Sequence, residues 1–207
     1  METGSDASAG MFIGFDLAGD LVYHAGKPVY AIDETNLIHK WTLDEASGTR
    51  ADSQGSNDLT DVGTVTAEDG IVASTGSAAT FVSADSTNLT GGTVSIATGA
   101  STILLWFKRD SGCATNAEIF SIGGSRGLEV TTHITGGGDF QLIFSTYYDG
   151  SPGADIGFAM PVVNPAEDNF VADTWYHIAV VRPTSGNWRV YIDGVENFLS
   201  SSSLGYL

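Results

Sequence analysis

Apolar and polar residues alternate at every second position in the last third of the chain. Over residues 188–193 the even positions hold Trp, Val and Ile, whereas the odd positions hold Arg, Tyr and Asp. This period of two is typical of a strand with one buried and one solvent-facing side. Residues 175–181 are apolar at both parities, which predicts a strand covered on both faces. The turn-forming segment 183–187 joins the two, so we expect an antiparallel hairpin, followed by a tight turn at Asp193 and Gly194.

Similar patterns predict many short strands and few helices in the rest of the chain. Further strands are expected at residues 118–122, 127–131, 140–146 and 156–160. Upstream, three short apolar runs separated by Ala-Gly turns lie within residues 11–32 and suggest a small β-meander. The 26 glycines suit strands joined by tight turns. The pattern therefore indicates an all-β protein.

Four motifs together resemble a known family. The segment W-Y-H-I-A-V-V followed by W-R-V-Y-I-D-G resembles the closing hairpin of laminin-G-like domains, which have a concanavalin A-like jelly-roll fold. Residues 39–60 are similar to the family's opening strand and acidic loop, and residues 77–82 and 103–108 stand where it has its next two core strands. The resemblance covers residues 37–207. It implies an antiparallel two-sheet jelly-roll sandwich. Residues 1–36 lie outside the resemblance, and we expect them to form an N-terminal arm that holds the short β extension.

Large apolar side chains along these motifs are expected to form the core of the sandwich. The side chains that we expect to be mainly buried are Trp41, Phe81, Trp106, Phe120, Trp175, Trp188 and Ile192.

The resemblance identifies a fold better than an activity, because this scaffold hosts lectins, adhesion modules, hydrolases and spacers.

Charge and cysteine content narrow the classes of partner. The chain has 25 acidic and 8 basic residues and a formal net charge of −17. Such a surface repels phosphate backbones and anionic membranes, so neither nucleic-acid binding nor membrane insertion is expected. A lone Cys113 cannot form an internal disulfide. Residues 1–6 lack the pattern of a secretory signal. We therefore favour a protein that is assembled into a virus particle in the cytoplasm. The alternative is an export signal that lies outside the given sequence.

The sequence gives little support for catalysis. Residues 123–127, G-G-S-R-G, match a hydrolase nucleophile elbow, but a strand and not the required helix is predicted to follow. Sugar-cleaving members of the family place two acids on one face of a strand, and here no two acids stand at i and i+2. We therefore expect no enzymatic activity, with a glycoside hydrolase whose site is assembled from loops as an open alternative.

Calcium is the best cofactor candidate. This ion prefers six to eight oxygens from carboxylates, carbonyls and water in an irregular loop. Four acids crowd the segment that resembles the family's acidic loop, where relatives commonly hold calcium: Asp44, Glu45, Asp52 and Asp58. The alternative is that these are solvated acids and turn-forming residues.

A second candidate site is a loop that suits glycan binding. Tyr147, Tyr148 and Asp149 precede Gly150. Aromatic faces stack on sugar C–H surfaces while a carboxylate accepts hydroxyl hydrogen bonds. The alternative is two tyrosines that finish a strand before a glycine turn.

Our leading interpretation is a non-catalytic structural, decoration or adhesion component on the surface of a phage virion, with glycans of the host surface as ligands. The alternative is a bacterial cell-surface carbohydrate-binding or adhesion domain. Residues 195–207 look too short to supply the usual last strand, which would leave an open sheet edge. We therefore expect the N-terminal arm or this edge to contact other particle proteins or a second copy of the chain.

Overall fold

The computed structural model describes residues 11–14, 21–24, 27–30, 36–71, 76–82, 87–94, 100–111, 113, 117–123, 127–134, 140–147, 158–159, 170–183 and 189–199. Within these ranges the regular structure consists of β-strands, and the predicted all-β, antiparallel class is confirmed. No helix in the described ranges is long and apolar enough to cross a membrane. The strands are β1 (Met11–Gly14), β2 (Leu21–His24), β3 (Lys27–Tyr30), β4 (Leu37–Trp41), β5 (Thr60–Val62), β6 (Thr66–Asp69), β7 (Ser77–Thr80), β8 (Asn88–Thr90), β9 (Ser101–Lys108), β10 (Glu118–Gly123), β11 (Gly127–Ile134), β12 (Phe140–Tyr147), β13 (Phe158–Ala159), β14 (Trp175–Arg182), β15 (Arg189–Ile192) and β16 (Val195–Leu199).

The described residues fall into two units. The first comprises those up to Gly92 together with Ile103–Trp106 of β9, and the second comprises the others. In the first unit β1 lies between β9 and β4, and three small antiparallel pairs accompany this sheet: β2 with β3, β5 with β8, and β6 with β7. The predicted boundary between residues 36 and 37 therefore lies inside the first unit.

The second unit contains one sheet with the order β10-β11-β12-β13 and the antiparallel meander β14-β15-β16. The β11–β12 ladder is its longest, with eight consecutive pairs from Gly127↔Tyr147 to Ile134↔Phe140. Three alternate residues of β12 are buried because their side chains point to one face of the sheet. They are Phe140, Leu142 and Phe144.

An aromatic cluster packs the core of the second unit. Phe140, only 1% exposed, stacks on Phe107 at 6.4 Å between ring centroids, and Phe170 meets both rings edge-on. Phe170 also meets Tyr176 of β14 edge-on at 4.8 Å. The Arg109 guanidinium lies 4.5 Å from the centroid of the Phe140 ring and donates to the Phe170 carbonyl at 2.5 Å. These contacts join the end of β9, β12 and the start of β14 through favourable edge-to-face and cation–π geometry.

The predicted closing hairpin is confirmed. β14 pairs with β15 from Ile178↔Ile192 to Val181↔Arg189, and Val190 and Ile192 are buried while Arg189 is exposed. Asp193 and Gly194 both have positive φ, 49° and 81°, as a type I′ turn requires. The chain then returns as β16, so the expectation that no last strand follows the turn is wrong. The sequence V-E-N-F-L lacks a clear alternation and depends on the turn for its register.

Hydrogen bonds between Asp193 and the backbone of the buried His177 anchor this hairpin. The Asp193 carboxylate accepts the backbone N–H of His177 at 2.9 Å, and the Asp193 N–H donates to the His177 carbonyl at 2.8 Å. Burial lowers the pKa of His177 to about 4, against the opposing effect of the Asp193 charge. The imidazole is therefore neutral at pH 7, as suits a ring buried in a core strand.

The expected core is confirmed for Trp41, Trp106, Phe120 and Ile192, which are all buried. Phe81 contradicts the expectation, with 49% of its surface exposed. Ala78 is the buried position of β7, so residues of the other parity face solvent, and the strand has ended at Thr80. Trp175 is half-buried beneath the Lys108 ammonium at 5.0 Å, and Trp188 lies outside the described residues.

The N-terminal runs do not form the single meander that their spacing suggested. β2 and β3 pair as a hairpin, but β1 pairs with β4 instead, in the register Met11↔Trp41, Phe12↔Lys40, Ile13↔His39 and Gly14↔Leu37. Such pairing between distant segments has no local sequence signal. The predicted strand at residues 156–160 is observed only as β13.

The aromatic cluster provides a test of the core assignment. Replacing Phe140 by Ala should lower the free energy of unfolding by about 3 to 5 kcal/mol, because it leaves a cavity under Phe107 and Phe170. Replacing Phe81 by Ala, the matched control, should change it by about 0.5 kcal/mol or less. Urea denaturation followed by tryptophan fluorescence measures both. Equal effects of the two substitutions would contradict the assignment.

Candidate functional site: the acidic loop

The acidic loop, residues 42–59, returns on itself between β4 and β5. Arg50 and Leu59 exchange two backbone hydrogen bonds of 2.7 and 2.9 Å, and Trp41 forms an isolated antiparallel bridge with Asp52. The indole N–H of Trp41, whose side chain is buried, donates to the Asn57 carbonyl at 2.8 Å. The loop is thus held against β4 by backbone and side-chain contacts together.

The centre of this loop is the Asp52 carboxylate, whose side chain is fully buried. Nδ1 of His39 lies 2.6 Å from Oδ2 of Asp52, and the His39 ring stacks on Trp41 at 5.3 Å between centroids. The Asp52 N–H donates to Oδ1 of Asp58 at 2.8 Å. Four backbone N–H groups donate to the Asp52 carboxylate: those of Lys40 (3.0 Å), Gln54 (3.2 Å), Gly55 (2.9 Å) and Asn57 (3.1 Å).

These donors decide the charge state of Asp52. Burial acts to raise its pKa, but the hydrogen bonds from His39 and from the backbone of Gly55, Lys40 and Asn57 outweigh burial and hold the pKa well below its usual range. The carboxylate therefore stays ionised at neutral pH. It serves as an anionic acceptor that gathers backbone N–H groups into a turn.

Gly55 allows the loop to close over this pair. A Cβ at this position would lie 2.5 Å from Oδ2 of Asp52, 2.7 Å from Nδ1 of His39 and 2.8 Å from the Ile38 carbonyl oxygen. Any other residue would have to displace backbone as well as the buried carboxylate. The close approach explains the glycine without a special φ angle.

A second buried charge, Arg50, organises the other half of the loop. Its side chain is fully buried, donates through Nη1 to the Glu45 backbone carbonyl, and has Nη2 3.3 Å from Oδ1 of Asp61. Glu45 Oε1 accepts the Ala51 N–H at 2.9 Å, and Asp61 Oδ2 accepts the Gly48 N–H at 2.6 Å. Arg50 thus lies between the backbone carbonyl of Glu45 and the carboxylate of Asp61, and both of these acids also cap backbone N–H groups of the loop.

The four residues predicted as calcium ligands all lie on this loop, but their oxygens do not converge. Asp44 caps the Ser77 N–H at 2.9 Å, whereas Glu45, Asp52 and Asp58 accept N–H groups within the loop. Among the described residues, no group of three or more His, Cys, Asp or Glu side chains is placed to hold a metal. Calcium needs six to eight oxygens directed at one point. The arrangement does not fit that need, and calcium binding stays a prediction for chelation and melting experiments to test.

The predicted ligand loop lies mostly outside the described residues. Tyr147 is the last residue of β12 and pairs with Gly127 of β11, while Tyr148 and Asp149 follow beyond the described strand. Its role in binding remains a prediction.

Sequence reasoning missed the residues that organise the acidic loop. His39, Arg50 and Asp61 were not among the predicted site residues. His39 and Asp52 are thirteen positions apart, so no local motif connects them. The available signal was a lone Arg inside an acidic segment, which indicates a buried counter-charge.

The Asp52 network has a pH-dependent consequence. Because the folded pKa of Asp52 lies below the unfolded value of about 3.9, its stabilisation is complete above that value and is lost as the pH falls. Replacing Asp52 by Asn should lower the free energy of unfolding by about 3 to 5 kcal/mol at pH 7, because buried donors lose their anionic acceptor. Urea titrations from pH 7 to pH 2 should show this difference shrinking below about pH 4.

The control is Asp69→Asn on the exposed strand β6, which should change stability by about 0.5 kcal/mol or less. A difference between wild type and Asp52→Asn that stays constant down to pH 2 would contradict the ionised, hydrogen-bonded assignment.

Comparison with known proteins gives one match. No curated protein and no solved structure matches the chain. A laminin-G family profile of the concanavalin A-like lectin/glucanases superfamily matches residues 76–204, more than half of the chain, and the acidic loop precedes the matched region. With this match and its antiparallel β-sheets, the chain belongs to the concanavalin A-like lectin/glucanase superfamily, as a laminin-G-like β-sandwich.

Proposed function

We propose that this protein is a non-catalytic surface module of a phage particle that binds glycans of the host. Membership of a lectin-like superfamily indicates a carbohydrate-binding or adhesion-type module. The proposal adds three points to this: a location on a phage particle, a glycan of the host as the ligand, and the absence of catalysis.

The hydrogen bonding of the acidic loop is the observation that supports the absence of catalysis. Hydrolysis of a glycosidic bond needs two carboxyl groups about 5 to 9 Å apart, one of them a general acid with a raised pKa. The Asp52 pKa moves in the opposite direction. Asp61 pairs with the buried Arg50 guanidinium, and Glu45 and Asp61 both accept backbone N–H groups of the loop. These carboxylates stabilise a loop, which supports binding over cleavage.

The ligand would contact the loop that follows β12. Tyr147 is the last residue of β12, an interior strand of its sheet, and it ends the longest ladder of the second unit. Binding residues are frequently carried on loops that a rigid scaffold positions. Two tyrosines and a carboxylate in succession supply stacking faces and hydroxyl acceptors in that position.

The charge and the cysteine content support a particle protein over an adhesin that disulfides stabilise. The net charge of −17 favours solubility and disfavours nucleic-acid contact inside a capsid. Cys113 is half-buried and the sequence offers it no partner for an internal disulfide. The second candidate, a bacterial cell-surface module, uses the same binding chemistry at another location.

A glycan array tests the binding function. The intact chain should bind a subset of bacterial surface glycans, and Tyr148→Ala should weaken that binding by about tenfold or more, the equivalent of about 1.4 kcal/mol. The matched control is Tyr191→Ala, which removes a half-buried tyrosine on β15. Bound oligosaccharides should release no reducing ends. Release of reducing sugar would instead identify a hydrolase, and equal loss in both variants would contradict the assigned loop.

The location is tested by fractionating an infected culture of the source on a density gradient. Peptides of this chain should appear by mass spectrometry in the band of purified particles. Their presence only in the envelope fraction of uninfected cells would favour the bacterial cell-surface alternative and contradict the particle assignment.

A further inference from the structure

The structure points to an exchange site for a strand between β4 and β9: we propose that the slot filled by β1 accepts residues 11–14 of a second copy of this chain, forming a strand-exchanged dimer. The slot is defined by the topology of the first unit, in which β1 separates β9 from β4. This inference is independent of glycan binding.

One edge of β4 is closed by the acidic loop. The Lys40 N–H donates to the Asp52 carboxylate at 3.0 Å, and the Lys40 carbonyl accepts the Ser53 N–H at 2.9 Å and the Ser53 hydroxyl at 3.1 Å. A further strand cannot pair at this edge without breaking the Asp52 network. The opposite edge of β4 is therefore the one that can change partners, and β1 occupies it.

The ladder that β1 forms with β4 is short and irregular compared with the longest ladder of the fold. β1 has four residues, and its register with β4 shifts between Ile13 and Gly14, so that Ile38 is skipped and stays 39% exposed. The β11–β12 ladder has eight uninterrupted pairs. A short ladder interrupted by a bulge opens at lower free energy than a long continuous one.

The connection between β1 and β4 is long enough for exchange. The 22 residues from 15 to 36 separate the two strands, and the hairpin of β2 and β3 takes up only the middle of them. The six residues on each side of the hairpin, 15–20 and 31–36, can each span about 20 Å when extended. A strand exchanged between two copies remakes the same ladder, so the closed and exchanged forms differ mainly in connector entropy and in new contacts between copies.

Charge sets the conditions for exchange. Residues 11–14, M-F-I-G, carry no charge, whereas each whole chain carries a net charge of −17. Two copies therefore repel each other at low ionic strength, and salt screens the repulsion within about 3 Å at 1 M. The exchanged dimer should increase with protein concentration and with salt.

The test traps exchange with cysteines on separate full-length chains. One chain carries Cys113→Ser and Phe12→Cys with a mass tag, and the other carries Cys113→Ser and Lys40→Cys. Phe12 and Lys40 are register partners, and paired residues in antiparallel strands lie about 4.5 to 5.5 Å apart at Cα, within disulfide range. Mixing the chains at high concentration and 1 M salt, followed by mild oxidation, should give a disulfide-linked heterodimer on a non-reducing gel.

The matched control uses Glu129→Cys and Ser145→Cys, register partners on β11 and β12, each in the Cys113→Ser background. Only five residues separate these two strands, so they should not exchange between chains, and their mixture reports random collision. We expect at least a fivefold excess of the Phe12–Lys40 heterodimer over this control, and a smaller excess at low salt. A yield equal to the control would overturn the proposal. A disulfide within a single chain that carries both Phe12→Cys and Lys40→Cys reports only the closed form, so it would not change that conclusion.

Discussion

The buried Asp52 carboxylate is the interaction on which the first unit of this protein depends. It accepts four backbone N–H groups and faces the imidazole of His39, so a single side chain fixes residues 52–57 of the acidic loop against β4. Asn57 extends this order to a distant segment, because its side-chain amide bonds the N–H and carbonyl of Gly92 at 2.5 and 3.1 Å. Through these contacts Asp52 determines which edge of β4 is closed and which edge is left for β1.

The features that the sequence predicted correctly are local ones. The hairpin of β14 and β15 followed from a period of two, and the tight turn after β15 followed from the Asp-Gly pair, since strand faces and type I′ turns are properties of a few consecutive residues. Phe81 was misplaced because its family position suggested core, whereas the parity of Ala78 and the end of β7 at Thr80 direct it to solvent. The pairing of β1 with β4 was missed because 22 residues intervene and no local pattern encodes a non-local partner.

The acidic loop shows a second use for crowded carboxylates besides cation binding. Crowded carboxylates suggest a cation, but a carboxylate can also be satisfied by backbone N–H groups, which bring partial positive charge without any basic residue. Asp44, Glu45, Asp52, Asp58 and Asp61 each accept at least one such N–H group. In a chain with only eight basic residues, this use of the backbone satisfies the loop carboxylates, including the buried Asp52, without a basic side chain for each.

The two parts of the chain are therefore constrained by different physics. The region that matches the superfamily, residues 76–204, carries the buried aromatic cluster and the long β11–β12 ladder, which fix a scaffold able to present loops. The residues before it carry the Asp52 network and the inserted strand β1, where order rests on hydrogen bonds to one carboxylate and on a ladder of four residues. The Asp52 network closes one edge of β4, so β1 pairs at the other edge. Order in this part of the chain therefore follows from one buried charge, whereas order in the matched region follows from aromatic packing and a long ladder.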